Sequence, residues 1–223
     1  MSEARQTNQL RLIMLLIGCA GVALAFVVKN WMSQVDGHQA PIPTVLFATL
    51  LPEAKPLQPF TLKDHDDKPF TLDRFKGVWT FLFFGYAHCP DVCPTSMGEL
   101  ALIFSKLDAK PALRANTRGV FVSVDPQRDT TELLKSYVPY FHPEFLGVTG
   151  SPDDVATFSR QVGAGYIVQP GESPEAYTIA HTSSFFLIDP KGKLTAVFSG
   201  PHDSDKVVEK YSLIREYYQG EQK

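Results

Sequence analysis

Trp79-Thr80-Phe81-Leu82-Phe83-Phe84 is an apolar run that leads, through four intervening residues, to Cys89-Pro90-Asp91-Val92-Cys93-Pro94. A continuous apolar run of this length, bounded by turn residues, is typical of a strand that is buried on both faces. We therefore predict a buried strand over residues 78–84, with two thiols, Cys89 and Cys93, directed toward solvent beyond its end. The chain has three cysteines, and two of them lie four positions apart, so this pair is the first candidate for its chemistry.

Strand-like and helix-like segments alternate around this strand, which is typical of a sheet covered by helices. The turn-rich stretch Asp64-His65-Asp66-Asp67 predicts a small N-terminal β-hairpin between residues 60–62 and 69–72. A strand, a thiol pair at its end, a helix, a βα unit and a closing hairpin with a last helix predict an α/β, thioredoxin-like fold. The remaining predicted strands are 119–124, 145–148, 185–188 and 194–198. One helix is predicted to begin after Pro94, and three more are predicted over 130–140, 151–162 and 204–218.

Near the N-terminus, residues 12–28 form a run without a charged side chain, preceded by Arg5 and Arg11 and followed by Trp31. Its length is near the lower limit for a helix that crosses a hydrocarbon core of about 30 Å. Arginines before the run favour a cytoplasmic N-terminus, and a tryptophan after it is typical of a membrane interface. We therefore predict one N-terminal transmembrane helix over residues 12–28.

Two cleavable alternatives remain open for the same segment. A secretory signal also has a basic start and an apolar middle, and the sequence before Cys19 resembles a lipoprotein processing site. All three interpretations place the rest of the chain outside the cytoplasm. The short start, without an Arg- and Ser-rich transit segment, favours a bacterial inner membrane with the C-terminal domain in the periplasm, where thiols can form disulfides.

The predicted domain organisation has four parts: a cytoplasmic start at 1–11, the anchor at 12–28, a proline-rich tether at 29–56 and one domain at 57–223. About 190 residues after the anchor are enough for one domain with a sizeable core. With 21 basic and 24 acidic residues the formal net charge is −3, so the chain lacks the basic surplus that nucleic acid or anionic lipid requires. Binding to nucleic acid is not expected.

The thiol pair is compatible with a metal site, a redox site or an inert disulfide. A helix that begins near Pro94 would lower the pKa of an adjacent thiol by favouring the anion. Thiolate is the reactive form in both metal binding and disulfide exchange, so the spacing alone does not separate the two. Prolines on both sides of an exposed turn make an inert pair the least favoured of the three.

A tight metal site needs a third ligand besides the two thiols. His181 is the best candidate among the six histidines, because it precedes the predicted strand 185–188. In a thioredoxin-like fold, the loop that enters this strand lies beside the thiol turn. Two thiolates and one imidazole suit copper, since sulfur favours Cu(I) and nitrogen helps to hold Cu(II). His88 is interpreted as a modulator of local charge. The remaining histidines, His38, His65, His142 and His202, are expected on the solvated surface.

The segment after the predicted strand 119–124 carries two aspartates of interest. Asp129 is predicted to cap the helix that begins at Thr130, and Arg128 could pair with a neighbouring carboxylate. Asp125 could lie next to the copper ligands and accept a hydrogen bond there. Tyr166 and Tyr177 could also lie near the ligands or could simply be packed in the core.

Four ordered motifs resemble the Sco/SenC family of membrane-anchored, thioredoxin-like copper proteins. The resemblance covers residues 57–218 and implies that Cys89, Cys93 and His181 bind one copper ion per chain. It also implies a role in assembling the dinuclear copper centre of cytochrome c oxidase subunit II, by copper delivery or by reduction of its cysteines, with other copper chaperones or thiol oxidoreductases as further partners. The family usually has Glu where this chain has Gln127. The motifs are Gly85-Tyr86-Ala87-His88-Cys89-Pro90-Asp91-Val92-Cys93-Pro94, Ser123-Val124-Asp125-Pro126-Gln127-Arg128-Asp129-Thr130, Leu146-Gly147-Val148-Thr149-Gly150 and Tyr177-Thr178-Ile179-Ala180-His181-Thr182.

A second class of function needs the cysteines but not the histidine: a thiol-disulfide oxidoreductase, a thiol peroxidase, or a copper or redox sensor. Tyr86 stands where peroxiredoxins would carry a threonine, which disfavours the peroxidase. Thr182 stands about where thioredoxins place a cis-proline, which disfavours a general disulfide exchanger. A metallochaperone is the favoured expectation, with thiol-disulfide reductase activity as the alternative.

Overall fold

The computed structural model describes residues 21, 23–29, 42–172 and 176–220. The chain divides into two compact units, residues 1–41 and 42–223. In the first unit, residues 21 and 23–29 are helical. No helix within the described ranges is both long and apolar enough to span a bilayer. Most of the predicted anchor, residues 12–20 and 22 with Cys19 among them, lies outside the described residues.

The second unit alternates strands and helices, with short 3₁₀ turns at Thr44–Leu46, Leu72–Phe75 and Val138–Tyr140. Its strands are β1 (Leu50–Pro56), β2 (Leu62–Asp64), β3 (Pro69–Phe70), β4 (Trp79–Gly85), β5 (Thr117–Ser123), β6 (Leu146–Thr149), β7 (Tyr166–Gln169), β8 (Thr178–His181), β9 (Phe185–Ile188) and β10 (Lys193–Phe198). Its helices are α1 (Val92–Asp108), α2 (Pro111–Arg114), α3 (Thr131–Tyr137), α4 (Pro152–Val162) and α5 (Ser204–Gly220).

Eight strands form one mixed sheet in the order β1-β10-β9-β4-β5-β6-β2-β3. Strands β4, β5 and β6 are parallel neighbours, and the outer pairings are antiparallel. The predicted α/β architecture is confirmed, and so is the N-terminal hairpin, which is formed by β2 and β3. Strands β7 and β8 form a separate two-stranded sheet, which the sequence pattern did not predict.

Strand β4 lies in the middle of the large sheet, and all seven of its residues are buried. Phe81 packs against aromatic side chains of α1 and α5, whereas Phe84, on the opposite face, packs against Phe158 of α4. Helices therefore cover both faces of the sheet at this strand, which is the condition under which a strand reads as a continuous apolar run. The C-terminal end of β4 thus has a rigid, dry support.

Helix α4 shows how local sequence signals set the element boundaries. The Ser151 hydroxyl accepts a hydrogen bond from the Asp154 amide at 3.2 Å, and Pro152 occupies the first helical position. Gly163 ends the helix with φ of 80°, in the left-handed region that favours glycine. The helix predicted over residues 151–162 is confirmed.

The proline-rich tether predicted for residues 29–56 differs from the structure in its last part. Leu50–Pro56 is strand β1, which pairs with β10 at the edge of the large sheet. Prolines at positions 52 and 56 are compatible with an edge strand, where one side of the backbone has no strand partner. The proline content correctly predicted an extended chain. It could not show that this segment pairs with β10, which lies about 140 residues further along the chain.

Two glycine substitutions should separate packing from helix propensity. A Cβ at Gly119 in β5 would lie 2.6 Å from the buried Phe145 ring, whereas a Cβ at Gly98 in α1 would meet nothing within 4 Å. We expect Gly119→Ala to lower the free energy of unfolding by about 1–3 kcal/mol through overpacking, and Gly98→Ala to raise it by up to about 1 kcal/mol. Urea unfolding followed by circular dichroism measures both, and equal effects of the two changes would contradict the packing described here.

Candidate metal centre

The two thiols lie where the central strand passes into helix α1. Strand β4 ends at Gly85, and α1 begins at Val92, so Cys93 is the second helical residue and Pro94 the third. Proline is tolerated there because the amides of the first helical turn have no partner within the helix. The helix therefore starts before Pro94, and the prediction that it starts after Pro94 is wrong.

Only one thiol is directed outward. Cys93 is fully buried, while Cys89 is partly exposed. A Cβ on Gly85 would lie 2.7 Å from the Cys93 sulfur, so the absence of a side chain there leaves the space that this sulfur occupies. The Cys93 amide donates a hydrogen bond to the Cys89 sulfur at 3.4 Å, which holds the two residues together. The expectation that both thiols point to solvent is wrong for Cys93, because the helix start turns this side chain toward the core.

Burial dominates the ionisation of the inner thiol. It raises the pKa of Cys93 far above the ordinary thiol value, because an anion in a dry environment loses its hydration. The predicted lowering of the pKa by the helix N-terminus is therefore wrong for this residue. Desolvation exceeds the favourable field of the helix end, because the sulfur is fully buried.

His181 is the last residue of β8, opposite Tyr166 of β7. Its Nε2 lies 3.0 Å from the Cys93 sulfur, and its Nδ1 lies 3.0 Å from the Thr182 carbonyl oxygen. A carbonyl oxygen only accepts hydrogen bonds, so a proton on Nδ1 satisfies Thr182 and leaves the Nε2 lone pair for Cys93 or a metal. Burial lowers the pKa of His181, which keeps the ring neutral and able to bind a metal near pH 7.

The rings of Phe83 and Tyr86 surround this imidazole. Both lie edge-to-face with it, at centroid distances of 5.9 and 6.0 Å. The Tyr86 hydroxyl accepts a hydrogen bond from the Ile179 amide at 3.3 Å, and burial raises the pKa of Tyr86, so it remains neutral. No sequence pattern predicted this contact of Tyr86, although its place three residues before Cys89 in the thiol motif was a usable signal.

The structure brings together the three residues that the sequence predicted as ligands. The Cys89 and Cys93 sulfurs and one ring nitrogen of His181 lie within 4.8 Å of one another. Elsewhere in the described ranges, no other group of three such side chains is this close. Two sulfurs and one nitrogen in a largely dry site match the donor preferences of copper, while a closed structural zinc site would need a fourth protein ligand. The donor set therefore fits one copper ion.

Asp129 has a different role from the predicted helix cap. Thr130 caps α3 instead, since its hydroxyl accepts a hydrogen bond from the Leu133 amide. The Asp129 carboxylate is fully buried and accepts hydrogen bonds from the Ala87 amide at 2.9 Å and from the Ser123 hydroxyl at 2.6 Å. Burial raises the pKa of Asp129. This carboxylate ties the turn before Cys89 to the end of β5, a role that only the fold reveals.

His88 lies at the surface beside this carboxylate. Its Nδ1 is 3.6 Å from Asp129 Oδ1, and half of its side chain is exposed. It is not a member of the cluster of three donor residues. The interpretation of His88 as a modulator of local charge agrees with this contact.

Asp125 is buried, but its hydrogen bonds lead away from the donor atoms. Its Oδ2 accepts from Arg128 Nε at 2.5 Å, and its Oδ1 accepts from the Tyr177 hydroxyl at 2.6 Å. Burial, together with the hydrogen bond to Asp125, raises the pKa of Tyr177 to about 12. The expected pairing of Arg128 with a neighbouring carboxylate is confirmed. Asp125 thus contacts the segment that leads to His181 rather than the donor side chains.

Three further histidines were expected on the solvated surface and are partly buried instead. His202 stacks on Phe185 at 3.7 Å, and His142 stacks on Phe145 at 4.8 Å. His65 accepts a hydrogen bond from the Gly147 amide. Burial lowers the pKa of His142 and His202. Sequence position alone does not show which histidines an aromatic neighbour will cover. His38 lies outside the described residues.

Comparison with known proteins adds an independent finding. The SCO1/SenC family model matches residues 30–215. The mitochondrial SCO2 homolog of Mus musculus is 35% identical over 150 residues, which cover 67% of this chain and 58% of the mouse protein. The mitochondrial SCO2 protein of Saccharomyces cerevisiae is 36% identical over 162 residues, which cover 72% of this chain and 52% of the yeast protein. The chain thus spans between about half and three fifths of the length of these relatives.

A solved structure supports the same relationship. The crystal structure of Arabidopsis thaliana ScoI with copper bound has a TM-score of 0.66 and 33% sequence identity, and the match covers 72% of this chain and 98% of that one. This likeness supports the thioredoxin-like fold that the alternation of strands and helices predicted. The family match extends over most of the chain and includes all three donor residues. The chain therefore belongs to the SCO1/SenC family.

Proposed function

We propose that this protein is a copper-binding assembly factor. The observation that carries the proposal is the cluster of Cys89, Cys93 and His181, whose donor atoms lie within 4.8 Å of one another in a partly buried site. The copper-bound structure of the Arabidopsis relative supports copper as the ion. Copper is here a cargo, bound at one ion per chain and passed on by ligand exchange to an acceptor.

The acceptor that the family resemblance implies is the dinuclear copper centre of cytochrome c oxidase subunit II. Other copper chaperones or thiol oxidoreductases would supply copper or electrons to the site. We further propose that residues 12–28 anchor the chain in a bacterial inner membrane with the domain in the periplasm. The charge-free run and the arginines before it support this placement.

The geometry assigns a distinct task to each side chain. The Thr182 carbonyl orients the His181 ring so that Nε2 faces the sulfurs. Cys93 is the inner ligand, whose proton must leave when the metal binds. Cys89 is the outer ligand, and its partial exposure makes it the side chain that an acceptor's ligand reaches first. Ligand exchange would therefore begin at Cys89 and end at Cys93.

A second candidate function is reduction of the acceptor's disulfide. The observation that favours it is that both cysteines are free and lie close enough for a disulfide to form after a small movement. The Cys89 thiolate would attack the partner's disulfide and release one partner thiolate. Cys93 would then displace the second, leaving a Cys89–Cys93 disulfide and two reduced partner cysteines, so that two electrons and two protons pass to the partner.

Removal of the imidazole should separate the two oxidation states of copper. We expect His181→Ala to weaken Cu(II) binding at least about 100-fold, equivalent to about 2.7 kcal/mol, because two sulfurs alone favour Cu(I). His88→Ala is the matched control and should bind one Cu(II) normally. Competitive titration with a chromophoric chelator, together with the sulfur-to-copper charge-transfer band, measures both. Unchanged Cu(II) affinity in His181→Ala would contradict the ligand assignment.

Copper affinity should rise with pH. The raised pKa of Cys93 means that this thiol is protonated near neutral pH, and binding as a thiolate must release its proton. Each released proton makes the affinity about tenfold higher per pH unit. His181 adds no proton above about pH 7, because burial lowers its pKa from an already near-neutral value. Calorimetry in buffers of different ionisation enthalpy counts the protons, and a count of zero would show that Cys93 is already ionised.

The reductase candidate predicts an asymmetry between the cysteines. Cys93→Ser should trap a mixed disulfide between the exposed Cys89 and a peptide bearing the acceptor's cysteine pair, because the resolving thiol is gone. Cys89→Ser should trap none, because Cys93 is buried. Non-reducing gels and mass spectrometry detect the adduct. If Cys93→Ser forms no adduct while the unmodified protein binds copper through His181, the reductase candidate fails and copper delivery remains as the function.

A further inference from the structure

Within residues 42–172 and 176–220, the strand that carries His181 has no hydrogen-bond ladder to the sheet that carries the thiols. In these ranges β7 and β8 pair with each other, in a sheet separate from the eight-stranded one. Cys89 and Cys93, in contrast, follow β4 in the middle of that larger sheet. Residues 182–184 join β8 to β9 of the large sheet, and the His181 ring has a backbone hydrogen bond with Phe84 of β4. Beyond these two connections, the position of the imidazole relative to the sulfurs depends on side-chain contacts that hold the β7–β8 ribbon in place.

One set of contacts joins the ribbon to the loop after β5. Arg128 donates to Asp125 Oδ2 through Nε at 2.5 Å and to the Tyr177 carbonyl oxygen through Nη1 at 3.1 Å. Its guanidinium lies 3.6 Å above the Tyr177 ring, and the Tyr177 hydroxyl donates to Asp125 Oδ1 at 2.6 Å. Arg128, Asp125 and Tyr177 thus form a closed ring of contacts, and Tyr177 immediately precedes β8.

A second contact completes the connection to the thiols. The Tyr86 hydroxyl accepts a hydrogen bond from the Ile179 amide of β8, and the Tyr86 carbonyl oxygen accepts one from the Cys89 amide at 3.1 Å. The Arg128 guanidinium lies 5.6 Å from the centre of the Tyr86 ring. Arg128 is therefore close to both the tyrosine that precedes His181 and the tyrosine that contacts the Cys89 backbone.

We propose that Arg128, held by Asp125 and stacked on Tyr177, is a positioning residue that sets His181 against the two cysteines. This inference rests on the proposed copper function and deepens it, because it names the side chains that decide whether the site offers two donors or three. The hydrogen bonds of Arg128 to Asp125 and to the Tyr177 carbonyl oxygen do not involve the three donor atoms. Arg128 acts on the position of β8 through Tyr177. We therefore expect it to affect the position of the His181 imidazole and not that of the sulfurs.

Arginine suits this role for geometric reasons. Its planar fork can bond a carboxylate and a carbonyl at the same time while its face stacks on an aromatic ring. The partner carboxylate of Asp125 is almost fully buried, and the Arg128 side chain is only 21% exposed. An ion pair in such a site breaks less readily than a solvated one, because each charge would lose its partner without gaining water.

The test compares Arg128→Gln with Arg74→Gln in the full-length protein. Arg74 is a matched control, because it also pairs with a buried carboxylate, Asp64, but at the β2–β3 hairpin. We expect Arg128→Gln to weaken Cu(II) binding about 10- to 100-fold, the range seen when a group that orients a metal ligand is removed. It should leave Cu(I) affinity within about twofold, the scatter of independent effects, and should reduce the nitrogen coupling in the Cu(II) spectrum.

A double-mutant comparison then isolates the route through His181. In a His181→Ala background, Arg128→Gln should change Cu(II) affinity by no more than about twofold, since the group it positions is gone. An equal loss in both backgrounds, or equal losses of Cu(I) and Cu(II) binding, would overturn the proposal. Tyr177→Phe gives a milder second variant if Arg128→Gln is poorly folded: it removes one hydrogen bond and keeps the stacking, and it should shift Cu(II) affinity in the same direction.

A measurement without copper keeps this inference separate from the proposed function. Amide hydrogen exchange of residues 178–181 in the copper-free protein should accelerate in Arg128→Gln and not in Arg74→Gln. If the wild-type protein binds no copper while this acceleration is seen, the proposed function fails and the positioning role stands. If exchange at residues 178–181 is the same in both variants, the positioning role fails whatever the protein binds.

Discussion

The Cys93 sulfur, buried between Gly85 and the His181 imidazole, is the contact on which the rest of this site depends. It lies 3.0 Å from His181 Nε2, and the missing side chain of Gly85 provides its space. The central strand must end at a glycine, the next helix must begin before Pro94, and β8 must bring a neutral imidazole to the same point. A shift in any of these elements would separate the sulfur from its nitrogen partner.

The fold meets these requirements by using two supports of different stiffness. The thiols are attached to the middle of an eight-stranded sheet whose central strand is fully buried. The imidazole is attached to a two-stranded ribbon that is held by side chains, among them Tyr86 and Arg128. Such an arrangement would suit the proposed binding and release of an ion, because one ligand could move without disturbing the core that supports the other two.

Burial also bears on the choice between copper handling and thiol exchange. A thiol exchanger needs an accessible thiolate, and the only partly exposed sulfur of the pair is that of Cys89. Burial raises the pKa of Cys93, and so this residue becomes a ligand or a resolving thiol only when a metal or a mixed disulfide removes the need for a free anion. Both proposed functions therefore use Cys89 as the point of entry and Cys93 as the inner partner.

Local patterns were enough to predict the buried strand, the thiol pair and most of the helices, because each depends on residue type and spacing within a short segment. His181 was predicted as the third ligand from its place in the expected fold and from the family resemblance. Local patterns were not enough to place β1 in the sheet, to find β7 and β8, or to show that Asp129 holds the thiol turn while Thr130 caps α3. Strand β1 and the Asp129 carboxylate depend on partners that are distant in the chain, and the cap at Thr130 is a choice between two adjacent residues that the local pattern does not separate. The clearest case is Cys93: a position near a helix N-terminus suggested a lowered pKa, but burial raises it, since desolvation is set by everything that packs around the sulfur, including residues that are distant in the chain.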